Sequence, residues 1–239
     1  MQKTRIESDS IGSLEIPADA YYGVQSYRGH VNFDITGIKM NRMFIMNVVK
    51  IKKAAAYANM ESGLLNEKTG SAIIAACDEA LGGKLDDGFI TDAIQGGAGT
   101  SANMNVNEVI ANRATEFLGG KKGEYLCHPN DHVNCSQSTN DVIPTAGRLT
   151  GIELAAELET NVNELIAALD EKAAEFNDII KMGRTQLEDA VPIRLGQEFA
   201  AYSSGIKRCL RLVKKAVNEM HSLNLGGTAI GTSINVRKV

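Results

Sequence analysis

Apolar positions along the chain change their spacing several times. Over residues 42–60, Phe44, Ile45, Val48, Val49, Ala55 and Ala56 recur at helical steps, with Lys50, Lys52 and Lys53 among them, which predicts a helix. Asn66 stands where it would cap a second helix, with Ile73, Ile74, Cys77 and Leu81 on one side and Gly82-Gly83 as its stop. A third helix is expected near 102–118, ending at Gly119-Gly120. From Val142 to Ile180 the pattern lengthens. Leu154, Leu158, Val162, Leu165, Leu169, Ala173, Phe176 and Ile180 form a narrow seam, the mark of a long helix. Phe199, Tyr202, Ile206, Cys209, Val213, Val217 and Met220 predict a second long helix from about Pro192 to Leu223. Pro144 and Pro192 sit where each would begin, and a missing N–H costs nothing there. A loop between two long helices gives an antiparallel pair. One partner cannot cover both seams, so more helices or other subunits are expected against them.

The remaining stretches read as irregular. Residues 5–35 scatter Ile6, Ile11, Leu14 and Ile16 among Ser, Gly, Asp and Pro17, consistent with a small hairpin. Residues 84–101 and 120–141 read as loops, the second long and polar. The expected fold is mainly α. A small N-terminal α-rich domain with short strands (1–141) precedes the first two long helices of a central helical bundle (142–239).

Composition narrows the class. With 44% hydrophobic and 23% charged residues, whole-chain disorder is excluded. A formal net charge of −4 and no basic stripe argue against a nucleic-acid partner. No run approaches the roughly 18 apolar residues that a membrane span needs. Residues 1–20 have no apolar core of a signal peptide. Cys77, Cys127, Cys135 and Cys209 are scattered, as expected of reduced thiols in a cytoplasmic protein. Four prolines, no tryptophan and 5% aromatics suit helices better than a β-sandwich.

Candidate chemistry lies in the loops at 96–105, 128–141, 183–192 and 226–233, which are rich in Thr, Ser, Asn, Gln and Gly. Three of them precede expected helices, where free N–H groups and the helix dipole favour a small anion, most simply a dicarboxylate. Plainer roles stand beside this one. Thr100, Ser101, Thr139 and Thr185 also suit N-caps, and Gly96, Gly97 and Gly99 suit turns. The glycine spacing is not that of a dinucleotide site. Cys127, His128, His132 and Cys135 match no standard zinc spacing. His30 and His221 are isolated, and Arg184 either clamps a carboxylate or pairs with Glu188 or Asp189.

Taken together, the segments GGAGTSANMNVNEVIANRA, HPNDHVNCSQSTND, KMGRTQLEDAVPIRLGQEF and LGGTAIGTSIN resemble the aspartase/fumarase superfamily of lyases, in order, from about Ala18 to Asn235. The aspartate ammonia-lyases are the nearer branch. Thr139 stands where fumarases usually carry Ser, and Gln186 where they carry His, as some aspartases also do.

The resemblance implies a homotetramer with a shared helical bundle, and active sites built from loops of three subunits. It implies reversible anti-elimination of ammonia from L-aspartate to give fumarate, through an aci-carboxylate. By resemblance Thr100, Ser138 and Thr139 hold the β-carboxylate and Thr185 the α-carboxylate, Asn140 and Gln186 lie near the amino group, and Ser101 is a further substrate-binding residue. His128, Asn130 and Asp131 match a secondary anion site. No cofactor is implied, although divalent metal activation is compatible with the family and no ligand set is visible. The family's base is a serine in a G-S-S-x-M-P-x-K-x-N segment, which these 239 residues do not contain. The chain is therefore expected to be an N-terminal portion, inactive alone, with no catalytic residue of its own. A class II fumarase portion and a non-catalytic assembling or carboxylate-binding fragment are the alternatives.

Overall fold

The computed structural model describes residues 3–234 and Val236. Asn235, the last residue of the family resemblance, lies outside them. The element order is β1 (Thr4–Asp9), β2 (Gly12–Pro17), α1 (Val24–Asn32), α2 (Arg42–Glu61), α3 (Glu67–Leu81), α4 (Thr100–Phe117), α5 (Thr139–Glu175), β3 (Ile180–Thr185), β4 (Glu188–Arg194) and α6 (Leu195–Glu219). The fold is mainly α, as expected. No helix among the described residues is long and apolar enough to cross a membrane.

The chain divides into two compact units. The first runs to Thr150 and includes the described residues from Leu223 onward; the second is Gly151–Ser222. The first unit reaches past residue 141 because the opening turns of α5 pack inside it: Val142 and Ala146 are fully buried, and Asn47 Nδ2 of α2 donates to Thr150 Oγ1.

In the first unit α2, α3 and α4 share one core, with Val48, Val49, Ile73, Val106, Val109 and Ile110 fully buried. Asn41 and Asn66 accept backbone N–H bonds at the starts of α2 and α3, the second as the sequence indicates. Helix α4 is buried nearly all round, so its polar residues need partners. Asn105 takes the Ile90 N–H and donates to Gly88 O. Asn112 takes the Gly123 N–H and donates to Tyr21 O.

Several expectations are corrected. Residues 24–32 form a helix rather than irregular chain. Residues 183–192 are not a loop before a helix but most of the β3–β4 hairpin. Gly183 sits at its bulge, where a Cβ would come 2.7 Å from Val191 O. Pro144 lies inside α5, which begins at Thr139, and Pro192 lies in β4. The seams also shift. On α5 beyond Thr150 the half-buried or buried positions include Ile152, Ala155, Glu159 and Ile166, together with Val162, Leu169 and Ala173 of the expected seam. Leu154, Leu158 and Leu165 form a separate exposed row. On α6 Ser203 and Leu210 are buried where Tyr202 and Cys209 were expected. Ser203 Oγ reaches Asp170 of α5 at 2.6 Å, so a polar contact replaces the apolar one that the spacing suggests.

Candidate active site

At the start of α5, Ser138 and Asp141 cap each other's turn. Ser138 N–H donates to Asp141 Oδ1 at 2.9 Å, and Asn140 N–H donates to Ser138 Oγ at 3.3 Å. The other Asp141 oxygen accepts from Gly226 N–H at 3.1 Å and Thr228 N–H at 2.9 Å. One buried carboxylate thus ties the second and fourth polar segments together. Two more bonds reinforce the joint. Asn140 Nδ2 donates to Ala229 O at 2.7 Å, and Asn224 Nδ2 donates to Asn140 O at 3.0 Å. Pro144 has no N–H to offer the carbonyl four residues before it. Asn224 supplies the donor that Asn140 O would otherwise lack.

Thr139, the first residue of α5, is tied to the first segment. Its Oγ1 accepts from Asn103 Nδ2 of α4 at 3.1 Å. The same Nδ2 lies 3.3 Å from Asn134 Oδ1, which also accepts from Lys52 Nζ at 2.7 Å. Lys52 has no exposed surface. Burial pulls its ammonium down to about 7, while Asp141 acts in the opposite direction.

Thr100 and Ser101 open α4 after a turn in which Gly97, Ala98 and Gly99 all have positive φ. Thr100 is exposed, and its hydroxyl donates to Gly97 O at 2.6 Å. The N-cap of this helix is Gly99, and Gln95 Oε1 accepts from the first-turn Ala102 N–H at 2.6 Å. Thr100 is therefore not the N-cap that one alternative made it.

Thr185 and Gln186 are on the second unit. Thr185 ends β3 opposite Glu188, and Gln186 and Leu187 make the two-residue turn with φ of 50° and 69°. Thr185 caps no helix. Gln186 stands exposed at a tip whose backbone is uncommon for residues with side chains. Arg184 pairs with Asp189 at 3.0 Å on the surface, the plainer of its two options.

The proposed secondary anion residues sit on a short π-helical turn, Pro129–Val133. His128 Nδ1 accepts from Asp131 N–H at 3.2 Å, and His132 Nδ1 accepts from His128 N–H at 2.8 Å. His128 and Asn130 line a cavity of about 620 Å³ with Gln25 and Arg28 of α1, and Asp131 is not in its wall. Asp9 holds the Arg28 guanidinium through both carboxylate oxygens, at 3.0 and 3.1 Å. Glu108 of α4 takes N–H bonds from Gly23, Gln25 and Ser26 and a short bond from Ser26 Oγ. Burial pushes the Glu108 carboxyl above its usual range, against the downward pull of those Ser26 bonds.

Lys52, Asn103, Asn134, Asp141 and Arg28 were not singled out from the sequence. Two of them carried a signal. Lys52 falls on the apolar stripe of Ile45, Val48, Val49 and Ala56, and the S-x-x-D spacing of Ser138 and Asp141 is that of a capping pair. Among the described residues, no three His, Cys, Asp or Glu side chains converge as a set of metal ligands.

A family model described as Lyase matches residues 12–239. The aspartate ammonia-lyase of Bacillus subtilis (strain 168) is 50% identical over 232 residues, which covers 97% of this chain and 49% of that protein. The class II fumarate hydratase of Halobacterium salinarum is 47% identical over 232 residues, with the same two coverages of 97% and 49%. Among solved structures, a fumarate lyase:delta crystallin from Brucella melitensis bound to cobalt superposes with a TM-score of 0.94. It is 48% identical and covers 98% of this chain and 52% of that one. The chain spans about half the length of the curated relatives it matches.

Proposed function

We propose a function on the premise that the chain belongs to the lyase family, in the superfamily of aspartases and class II fumarases. Its loops contribute the dicarboxylate cradle of an aspartate ammonia-lyase, which interconverts L-aspartate with fumarate and ammonia. The observation that carries this is the convergence of three polar segments at the start of α5. Asn103 binds Thr139 from one side, and Asp141 binds the loop of Gly226 and Thr228 from the other.

Thr139, with Ser138 and Thr100, supplies hydroxyl donors to the β-carboxylate, and Ser101 is a further substrate-binding residue. Removing the proton beside that group moves charge onto its oxygens as the aci-carboxylate forms. Donors fixed in advance favour that charge over the ground state. Thr185 takes the α-carboxylate, and Asn140 and Gln186 face the amino group. Gln186, a neutral amide, accepts from an ammonium without titrating near neutrality.

The proton acceptor is the serine of the family's G-S-S-x-M-P-x-K-x-N segment, which is not among these residues. A protein made only of these 239 residues gives no detectable turnover, since loss of a general base alone costs roughly 10²–10⁴-fold. The exposed row of Leu154, Leu158 and Leu165 supports a homotetramer in which other helices cover it. The enzyme is cytoplasmic.

A class II fumarase is the second reading, favoured by the Halobacterium relative at 47% identity. Incubating the whole protein with fumarate, with and without ammonium, separates the two. L-aspartate formed only with ammonium supports the ammonia-lyase. L-malate formed without it overturns that assignment in favour of the hydratase.

A further inference from the structure

We infer that Lys52 is a positioning residue that sets the direction of a hydrogen-bond relay ending at Thr139, so that the Thr139 hydroxyl can only donate to the bound substrate. The inference rests on the cradle proposed above and goes beyond it, because Lys52 is buried and reaches Thr139 only through Asn134 and Asn103.

Below a pH of about 7, where Lys52 is protonated, its ammonium has three donors and no acceptor. Only the carbonyl end of Asn134 can therefore face Lys52 Nζ, 2.7 Å away. That choice turns Asn134 Nδ2 the other way, toward Gln137 O. Asn134 Oδ1 now presents a lone pair to Asn103, so Asn103 must offer Nδ2 rather than Oδ1. The same Nδ2 reaches Thr139 Oγ1, and Thr139 must accept. Asn103 Oδ1, fully buried, has no partner among the described residues, so it does not take the Thr139 proton. The single hydroxyl proton is left for a ligand. A donor-only head group at one end thus fixes two amides and one hydroxyl that could each face either way.

The burial of Lys52 supports this role. A wholly enclosed lysine whose ammonium is pulled down to about 7 is an expensive way to fill the apolar stripe of α2, where Leu or Met would pack at lower cost. Among the described residues it donates to the relay, at Asn134.

A double-mutant cycle tests the inference in the whole enzyme at pH 6.5, where Lys52 is protonated, with Lys52→Met, Thr139→Ala and both together. The assay uses whichever elimination the wild type performs, ammonia or water, because the β-carboxylate cradle does not contact the leaving group. Activity toward L-malate instead of L-aspartate would then refute the ammonia-lyase assignment without touching this inference. Lys52→Met is expected to lower kcat about 10-fold or more, a fraction of the roughly 10²–10³-fold lost with a whole oxyanion donor. In the Thr139→Ala background the same change is expected to cost less than about 3-fold, since the hydroxyl it orients is gone. Equal loss in both backgrounds, or no loss in the wild type, overturns the inference. If Lys52→Met does not fold, Asn134→Leu breaks the relay one step later, and the same coupling is expected.

Discussion

Thr139 and Gln186, proposed above for opposite ends of the substrate, are held in very different ways within their own units. Thr139 opens a helix whose first turn buries Asp141 and Val142. Asn103 binds it, Lys52 and Asn134 lie behind it, and Asp141 locks the neighbouring loop with N–H bonds from Gly226 and Thr228. Gln186 projects from a two-residue turn with positive φ, next to a Leu187 that is 99% exposed. One end is assembled within a single compact unit before any ligand arrives. The other is a tip with no supporting contact of that kind among the described residues. The contrast fits the chemistry: charge develops on the β-carboxylate, where preorganised donors count most, while the amino group is already charged in the ground state.

The largest expected effect follows from that difference. Thr139→Ala in the whole enzyme is expected to lower kcat by roughly 10²–10³-fold, as losing one oxyanion donor does. Gln186→Ala is expected to raise KM with kcat within a few-fold, because its contact exists already in the ground state. Steady-state kinetics of the two variants checks this; the reverse split would mean that the roles of the two ends are exchanged.

Asp141→Ala comes next. It leaves the N–H groups of Ser138, Gly226 and Thr228 without their acceptor. Bonds to a charged group contribute roughly 1.5–3 kcal/mol each, and water reaching the loop recovers part of that. A loss of about 3 kcal/mol is expected in chemical denaturation, together with activity. Asp141→Asn, which keeps one acceptor oxygen, is expected to lose less.

The smallest effect has the opposite sign. The Lys52 ammonium is pulled from 10.5 to about 7 by burial, against the upward pull of Asp141 and Cys77. Burial also pushes the Cys77 thiol up to about 12, so it stays neutral. Between pH 7 and 10.5 the unfolded chain binds more protons than the folded one, so the penalty for Lys52 is full below pH 7 and fades as pH rises. Lys52→Met is therefore expected to stabilise the fold by about 1–2 kcal/mol at pH 6.5, after the lost Asn134 bond is counted, and by less at pH 9.5. Thermal melts at both values check the sign. Greater stability together with lower kcat marks a residue kept for function at a cost to the fold.

The sequence discloses these regions unevenly. Helices α2 and α3 and the existence of α4, α5 and α6 follow from apolar spacing and from Asn66 and Gly82, because those signals are local. Helix α1 does not. Its N-terminal N–H groups are satisfied by Glu108, a residue of α4 far along the chain, and nothing within 24–32 records that partner. The β3–β4 hairpin escapes notice because Gln186-Leu187 takes a turn conformation that Asn-Gly ordinarily signals. Pro144 suggests a helix start and lies inside α5, because a side chain from Asn224 stands in for the missing donor. The same holds for the site. The hydroxyl and amide residues of the four motifs are legible as motifs. Lys52, Asn134 and Asp141 act through tertiary contacts that only the folded chain reveals.

Amide hydrogen exchange on this chain tests the contrast most directly. The Ser138, Gly226 and Thr228 N–H groups, bound to a buried carboxylate, are expected to exchange at least about 100-fold more slowly than those of Gln186 and Leu187 at the open tip. Equal exchange at the two sites, or slower exchange at Gln186 and Leu187, would contradict the claim that the carboxylate end is built before the substrate binds.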